Sequence, residues 1–252
     1  MIESPDRHTT DRLVRDTAQI GIASGDVLFV HASFKSLGPV DGGAQSVVSA
    51  FEQVLGPKGL LLMPSFNLIG DRDTRADSWD VRTTLSSVGW LTEFFRQMPG
   101  TFRSNHYSHS VAARGVGAER FVADHEKDDG LVSPWDRLPW GRTYGSSSPM
   151  IRAYDRGGKV LMLGVDYETS TYAHVVEVAY WNERMAKDPE APFVWLDRPR
   201  LGQVWDRQGA LTRGQIGDSA SRLFAIRDYV DGLLDVVRAD PDSYDRVKLG
   251  KR

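Results

Sequence analysis

Apolar and polar positions along this chain switch repeatedly between a helical and a strand-like period, and the switches lay out its elements. The spacing predicts a first helix over about residues 9–22, ending at "GIASGD". "VLFVHASF" then predicts a strand whose apolar run is broken by His31 and Ser33 where it leaves the core. "VDGGAQSVVSAFEQVLGPKG" predicts a turn and a helix: Asp41 is a candidate cap, and Val47, Val48, Phe51, Val54 and Leu55 share a face. Gly56, Pro57 and Gly59 end that helix, and "LLLMPSF" is a second buried strand.

Residues 68–85 are polar and rich in Arg and Asp, which predicts a long surface loop. "SSVGWLTEFFRQMPG" fits a capped helix of about ten residues stopped by Pro99 and Gly100. "HSVAARG" predicts a short strand and "VGAERFVADHE" a helix, with a loop rich in Pro, Trp, Ser and Gly over 128–150. "GGKVLMLGV" is a clear strand, followed by helical spacing from about Ser170. "FVWL" and "GQVWD" read as a late hairpin, and "IGDSASRLFAIRDYVDGLLDVVRAD" as an amphipathic C-terminal helical region. Strands alternating with helices predict a layered α/β domain. No repeat, low-complexity tract or linker divides the chain, so residues 1–252 read as a single domain. The polar breaks fall at strand ends, where α/β proteins place their sites.

Bulk properties narrow the function by exclusion. A chain of 252 residues can bury a substantial core, and a net charge of −3 gives no electrostatic argument for nucleic acid or an anionic membrane. The longest apolar runs, "GLLLMP" and "VLMLGV", are far too short to span a bilayer. "MIESPDRHTTDRLVRD" lacks the apolar core of a signal peptide, so a cytoplasmic location is expected. With no cysteine there is no disulfide framework, thiolate nucleophile or Cys-based zinc site.

Chemistry concentrates in a few stretches. On a helix, Thr171, His174 and Glu177 of "TYAHVVE" recur every three residues and present a hydroxyl, an imidazole and a carboxylate along one face. A carboxylate beside an imidazole fixes its tautomer and makes it more basic, as a general base near neutral pH requires. The same spacing also suits an ordinary surface pair; the position after a buried strand favours the functional reading. In "SNHYSHS", strand alternation over 108–113 puts His109 on one face and Ser108 and Ser110 on the other. His106 reads locally as a loop histidine. Zinc held by His106, His109, His174 and Glu177 stays open on donor type, although no HExxH-type spacing is present. "HASFKSLGPVDGG" and "SSVGWLTE" offer hydroxyls and free backbone N–H groups at helix starts, which suit an extended ligand or a plain connection equally. There is no P-loop and no GxSxG; "YGSSSP" lacks a nucleophile-elbow setting, and "GVGAER" lacks the third glycine of a dinucleotide fingerprint.

Taken together and in order, these stretches resemble the aminoglycoside 3-N-acetyltransferase family, the antibiotic acetyltransferases with their own non-GNAT fold. The likeness runs over residues 25–177 in four blocks: "GDVLFVHASFKSLGPVDGGAQSVVSAFEQVLGPKGLLLMPSF", "SSVGWLTEFFRQMPGTFRSNHYSHSVAARGVGAE", "SPWDRLPWGRTYGSSSPMI" and "GGKVLMLGVDYETSTYAHVVE". It continues more weakly in "IGDSASRLFAIRDYVD". The resemblance implies a single α/β domain around a central mixed sheet and transfer of an acetyl group from acetyl-CoA, a cosubstrate, to an amine. It implies CoA contacts at His31, Ser33, Lys35, Ser36, Leu37 and Gly38, and at Ser86, Ser87, Val88 and Gly89. It places His106, His109 and Ser110 beside the thioester, and Thr171, His174 and Glu177 on the catalytic face. Tyr107 stands where the family's H-P-x-x-S segment has proline, and Ser170 where relatives often carry Asn or Asp.

An alkylammonium must lose a proton before attacking a thioester, and His174 oriented by Glu177 is suited to take it. Backbone N–H groups near 33–38, or His109, are candidates for the oxyanion. The expected route is direct attack in a ternary complex, without metal. The expected partners are a CoA thioester and a small-molecule amine, with no nucleic acid or membrane, in a monomer or homodimer. For a polycationic acceptor, Asp71, Asp73, Asp77, Asp80, Asp166 and Glu168 are candidate contacts, but Arg72, Arg75 and Arg82 are interleaved with them. An amino sugar or aminoglycoside and a biosynthetic amine such as an aminophosphonate are therefore both open. A metal-dependent hydrolase and a non-catalytic CoA-binding module are the competing classes.

Overall fold

At the centre of the sheet β1 (Val27–Ala32) lies between β2 (Leu60–Pro64), which it reaches through a helical crossover, and β5 (Lys159–Leu163), all three parallel. The structure is a computed structural model describing residues 7–127, 129–208 and 210–250. Around that parallel centre lie β3 (Phe102–Arg103), β4 (Val111–Gly115), β6 (Thr212–Ile216) and β7 (Ser219–Ala225), each antiparallel to its neighbours. The mixed seven-stranded sheet has the order β3-β4-β2-β1-β5-β7-β6. The helices are α1 (Thr10–Gln19), α2 (Gly43–Leu55), α3 (Arg72–Asp77), α4 (Trp90–Gln97), α5 (Ala118–Val122), α6 (Pro149–Asp155), α7 (Thr171–Met185), α8 (Arg198–Gln208) and α9 (Ile226–Ala239).

The central strands are apolar on both faces because each face is covered. Leu28, Val30, Leu61, Met63, Leu161 and Leu163 join α1, α2 and α4 in one core. Phe29, Leu60, Leu62, Val160 and Met162 join α5 to α9 in the other. Because side chains alternate along a strand, His31 shares the face of Phe29, beneath α7. Gly202 lets α8 lie against Tyr167: a Cβ there would sit 2.1 Å from the Tyr167 ring. Among the described residues, no helix is long and apolar enough to cross a membrane. The first six residues of the stretch tested for a signal peptide lie outside the described residues.

Several expectations are corrected. Asp41 does not cap α2; Gly42 occupies that position with φ 72°, and Asp41 instead pairs with Arg7 at 2.7 Å. The 68–85 loop contains α3, which Asp71 caps by accepting from Thr74 N at 2.9 Å. "VGAERFVADHE" is helical only over Ala118–Val122. The late hairpin is displaced: "GQVWD" lies within α8, where Leu201 and Trp205, four residues apart, are buried on one face. The true hairpin is β6–β7; its turn and second strand fill the start of the segment read as C-terminal helix, and the helix itself begins only at Ile226. An apolar run of four or five residues fits either period, so the burial of Trp205 decided α8.

Candidate active site

A cavity of about 580 Å³ opens at the carboxyl ends of the parallel strands, between His31 and Ala32 of β1, Pro64 of β2 and Val165 just beyond β5. Ser108, His109, Thr171 and His174 also line it, so the two histidine stretches form two walls of one site. His174 and Glu177 face each other one turn apart on α7, with Nδ1 2.6 Å from Oε2. The other carboxylate oxygen accepts from Leu196 N at 2.9 Å, so Glu177, only 2 % exposed, has both oxygens engaged. A buried carboxylate held in this way orients the imidazole and balances a proton on it.

The second wall is the turn at 107–109. His109 contacts Ser108 Oγ through Nδ1 at 2.8 Å, and its ring lies 4.9 Å from Trp135 and 5.8 Å from His174. Burial, and then the charges of His174, His125, Arg75 and Arg72, hold the His109 imidazole well below the usual histidine range. His109 is therefore a neutral side chain with one N–H to donate. Burial pushes His31 down to about 3; its Nε2 lies 3.2 Å from Thr171 Oγ1 and ties β1 to the start of α7.

His106 is not on the cavity wall. It is fully buried, accepts from Ser108 N and His109 N at 3.2 Å through Nδ1, and stacks 4.6 Å from His125. It shapes the turn that presents His109. Ser110 likewise points inward, donating to Ser65 O at 2.8 Å. His109 precedes β4 instead of belonging to it, so the strand-alternation argument does not apply there. Tyr107 is buried, and its hydroxyl donates to Trp135 O at 2.7 Å. Ser170, at the start of α7, is also buried. Among the described residues, no group of three or more His, Asp or Glu is arranged to hold a metal ion, and the four zinc candidates do not converge.

A second groove, of about 600 Å³, is lined by Ala32, Ser33, Phe34, Lys35, Gly89 and Trp90, and it adjoins the first at Ala32. Trp90 is 61 % exposed and rests 4.8 Å from Phe34. Ser87 and Val88 belong to the first cavity, and Ser87 Oγ accepts from Leu68 N at 2.7 Å. Ser86 is buried against Thr92 at 3.0 Å, so neither serine caps α4. Ser36, Leu37 and Gly38 support the groove from behind. Leu37 is core, and Ser36 Oγ donates to Ser33 O at 2.7 Å. Backbone N–H groups of Ser33, Ser36 and Gly38 bond to Leu163 O, Ser33 O and Lys35 O, so these three are not available to an oxyanion.

The acidic candidates are spent on structure. Asp73 and Asp77 pair with Arg137, Asp80 organises its own turn through Thr83 N at 2.7 Å, and Asp166 accepts from Glu168 N at 3.1 Å. Only Glu168 reaches the cavity, and it is bridged by Arg198 at 2.5 Å and Arg246 at 3.1 Å. Arg75 and Arg198 line the same cavity, and Arg198 Nη1 lies 3.0 Å from His174 Nε2. Arg198, Trp135 and Trp195 carried no role in the sequence reading. The run Asp197-Arg198-Pro199 was a legible helix start, with Asp197 accepting from Arg200 N at 3.1 Å.

The fold is α/β, with a paired imidazole and carboxylate on the wall of a cavity at the carboxyl ends of its parallel strands. The family profile described as aminoglycoside 3-N-acetyltransferase matches residues 29–238. Aminoglycoside N(3)-acetyltransferase III of Salmonella sp is 31 % identical over 259 residues, covering 97 % of this chain and 82 % of the relative. The solved structure of AAC-IIIb with CoASH superposes with a TM-score of 0.75 at 25 % identity, covering 93 % of this chain and 97 % of that one. The aminoglycoside acetyltransferase AAC(3)-IVa apoenzyme gives 0.73 at 26 % identity, covering 94 % and 91 %. This chain belongs to the aminoglycoside 3-N-acetyltransferase family and is a CoA-dependent N-acetyltransferase.

Proposed function

We propose that the protein transfers an acetyl group from acetyl-CoA to a primary amine, on an amino sugar or a related small biosynthetic amine, by direct attack in a ternary complex. The observation that carries this reading is the His174–Glu177 pair on the wall of a cavity that adjoins a second groove at Ala32. In it, the CoA arm runs along the groove of Ser33, Phe34, Lys35, Gly89 and Trp90, past Ala32, and delivers the thioester to the cavity. Trp90 and Phe34 supply an apolar aromatic surface and Lys35 a cation for phosphate.

His174 takes a proton from the acceptor ammonium at Nε2 while Nδ1–H points to Glu177. The amine nitrogen then attacks the thioester carbonyl, the new C–N bond forms and the C–S bond breaks; His174 returns its proton to the departing sulfur, giving the free thiol of CoA, and the nitrogen sheds its second proton to solvent as the amide forms. Neutral His109, within the same cavity, donates to the oxygen of the tetrahedral intermediate. Residues 1–252 act as one catalytic unit in this reading, and the supply of acetyl-CoA argues for the cytoplasm. Thiol release from acetyl-CoA against a panel of amines tests the proposal. Release that depends on an amine is expected; acetyl-CoA binding with no release for any amine would reject it.

A further inference from the structure

The wall of the cavity facing His174 has the wrong charge for a polycation. Of the six acidic side chains that the sequence offered for an acceptor, five are tied up outside the cavity. The sixth, Glu168, is shared between the guanidiniums of Arg198 and Arg246. Arg75 joins Arg198 on the lining, and its Nε is buried without a hydrogen-bond partner among the described residues. Arg75 and Arg198 therefore line the space where the acceptor must sit, and the one carboxylate there, Glu168, has Oε1 shared by Arg198 and Arg246 while its Oε2 is buried without a hydrogen-bond partner among the described residues.

Arg198 also occupies the base itself. A guanidinium has only donors, so the 3.0 Å contact from Arg198 Nη1 makes His174 Nε2 the acceptor and puts the imidazole proton on Nδ1, toward Glu177. The Nε2 lone pair accepts one in-plane bond, so an ammonium cannot give up its proton there while Arg198 holds it. A carboxylate, phosphate or phosphonate is a far stronger partner for a guanidinium than a neutral imidazole nitrogen.

We propose that the acceptor is an amine carrying an anionic group, a carboxylate, phosphate or phosphonate, and that Arg75 and Arg198 bind this group and so draw Arg198 off His174 Nε2. This inference rests on the acetyl-transfer reading and narrows it. The substrate opens its own base: the anion engages the arginines, Nε2 is freed, and the amine on the same molecule is presented to it. A neutral amine leaves Arg198 in place, and a polycationic one meets like charge.

The test compares acetylation of matched pairs: glucosamine 6-phosphate with glucosamine, 2-aminoethylphosphonate with ethanolamine, and β-alanine with propylamine, beside one aminoglycoside. The pairs also separate phosphate, phosphonate and carboxylate as the source of the anion. In at least one pair the anionic member should have kcat/KM tenfold or more above its neutral partner. Arg198→Ala and Arg75→Ala should each erase that preference, with acetyl-CoA affinity kept within about twofold by calorimetry. The proposal is overturned if neutral or polycationic amines are preferred throughout, if the preference survives both variants, or if Arg198→Ala loses acetyl-CoA binding instead. Nitrogen-15 NMR of the His174 imidazole supplies a readout independent of turnover. A shift at Nε2 on adding the anionic amines, absent in Arg198→Ala, supports the anion site even if no amine is acetylated. No shift with any of them overturns it.

Discussion

Glu177 holds His174 with one oxygen, 2.6 Å from Nδ1, and the backbone of Leu196 with the other, at 2.9 Å. One buried carboxylate thus links His174 on α7 to the segment that carries Trp195 and Arg198. That segment is itself tied to the C-terminal region, with Asp197 N donating to Tyr244 O at 2.7 Å and Arg246 N to Trp195 O at 2.8 Å.

The link predicts the effect of Glu177→Gln. The amide oxygen can still accept from Leu196 N, so thermal stability should change little. The charge that balances a protonated His174 is lost, and the tautomer is no longer fixed. Turnover should fall about 10²- to 10⁴-fold with acetyl-CoA affinity unchanged. Steady-state kinetics and calorimetry on the variant decide it; turnover near that of the parent would remove Glu177 from the mechanism.

Trp90 makes a different prediction. It is exposed on the rim of the groove assigned to the CoA arm, and removing it takes away contact surface without touching His174. Trp90→Ala should raise the KM for acetyl-CoA about tenfold, equivalent to about 1.4 kcal/mol, and leave kcat alone. An unchanged KM would move the CoA arm elsewhere.

Acid should unfold this protein early. His31 is pushed down to about 3 and His125 to about 4 by burial, and His106 and His109 are held well below their usual range for the same reason. In each case the unfolded state binds the proton and the native state does not, so this stability is complete above the unfolded pKa near 6.5. It is lost as pH falls toward the native values. At pH 5 each imidazole costs the native state about 2 kcal/mol. Glu93, pushed down to about 2, contributes only below the carboxylate range and does not affect that window. Urea unfolding between pH 7 and 5 should show a fall approaching four protons per molecule; a flat profile would mean the histidines are not neutral and buried.

The packing of α8 on Tyr167 is testable by one methyl group. Gly202→Ala places a Cβ where the Tyr167 ring already sits and should destabilise the fold by about 1–3 kcal/mol. Differential scanning calorimetry measures it, and an unchanged Tm would show that α8 shifts freely.

Much of this was legible in the sequence, for physical reasons. The apolar runs ending in His31 and Leu163, rich in Val and Leu and bounded by Gly and polar residues, read as buried strands, and the three-residue spacing of Thr171, His174 and Glu177 aligns them on one face of a helix. Pairing of the two histidine stretches followed from the family resemblance and is seen in the cavity lining. The cationic wall was not legible. Arg198 meets His174 across 24 residues and Arg246 meets Glu168 across 78, and such partners are set by tertiary packing, not by local pattern. His106 misled because its motif neighbours reach the cavity while its own ring is needed inside to hold the turn.

The central claim is that His174 is the base for acetyl transfer in the cavity at the carboxyl ends of β1, β2 and β5. His174→Gln, assayed with the best acceptor of the amine panel and titrated with acetyl-CoA by calorimetry, tests it most directly. The account predicts kcat/KM for the amine lower by about 10²- to 10⁴-fold with acetyl-CoA affinity intact. Transfer within a few-fold of the parent, or loss of acetyl-CoA binding along with activity, would contradict it.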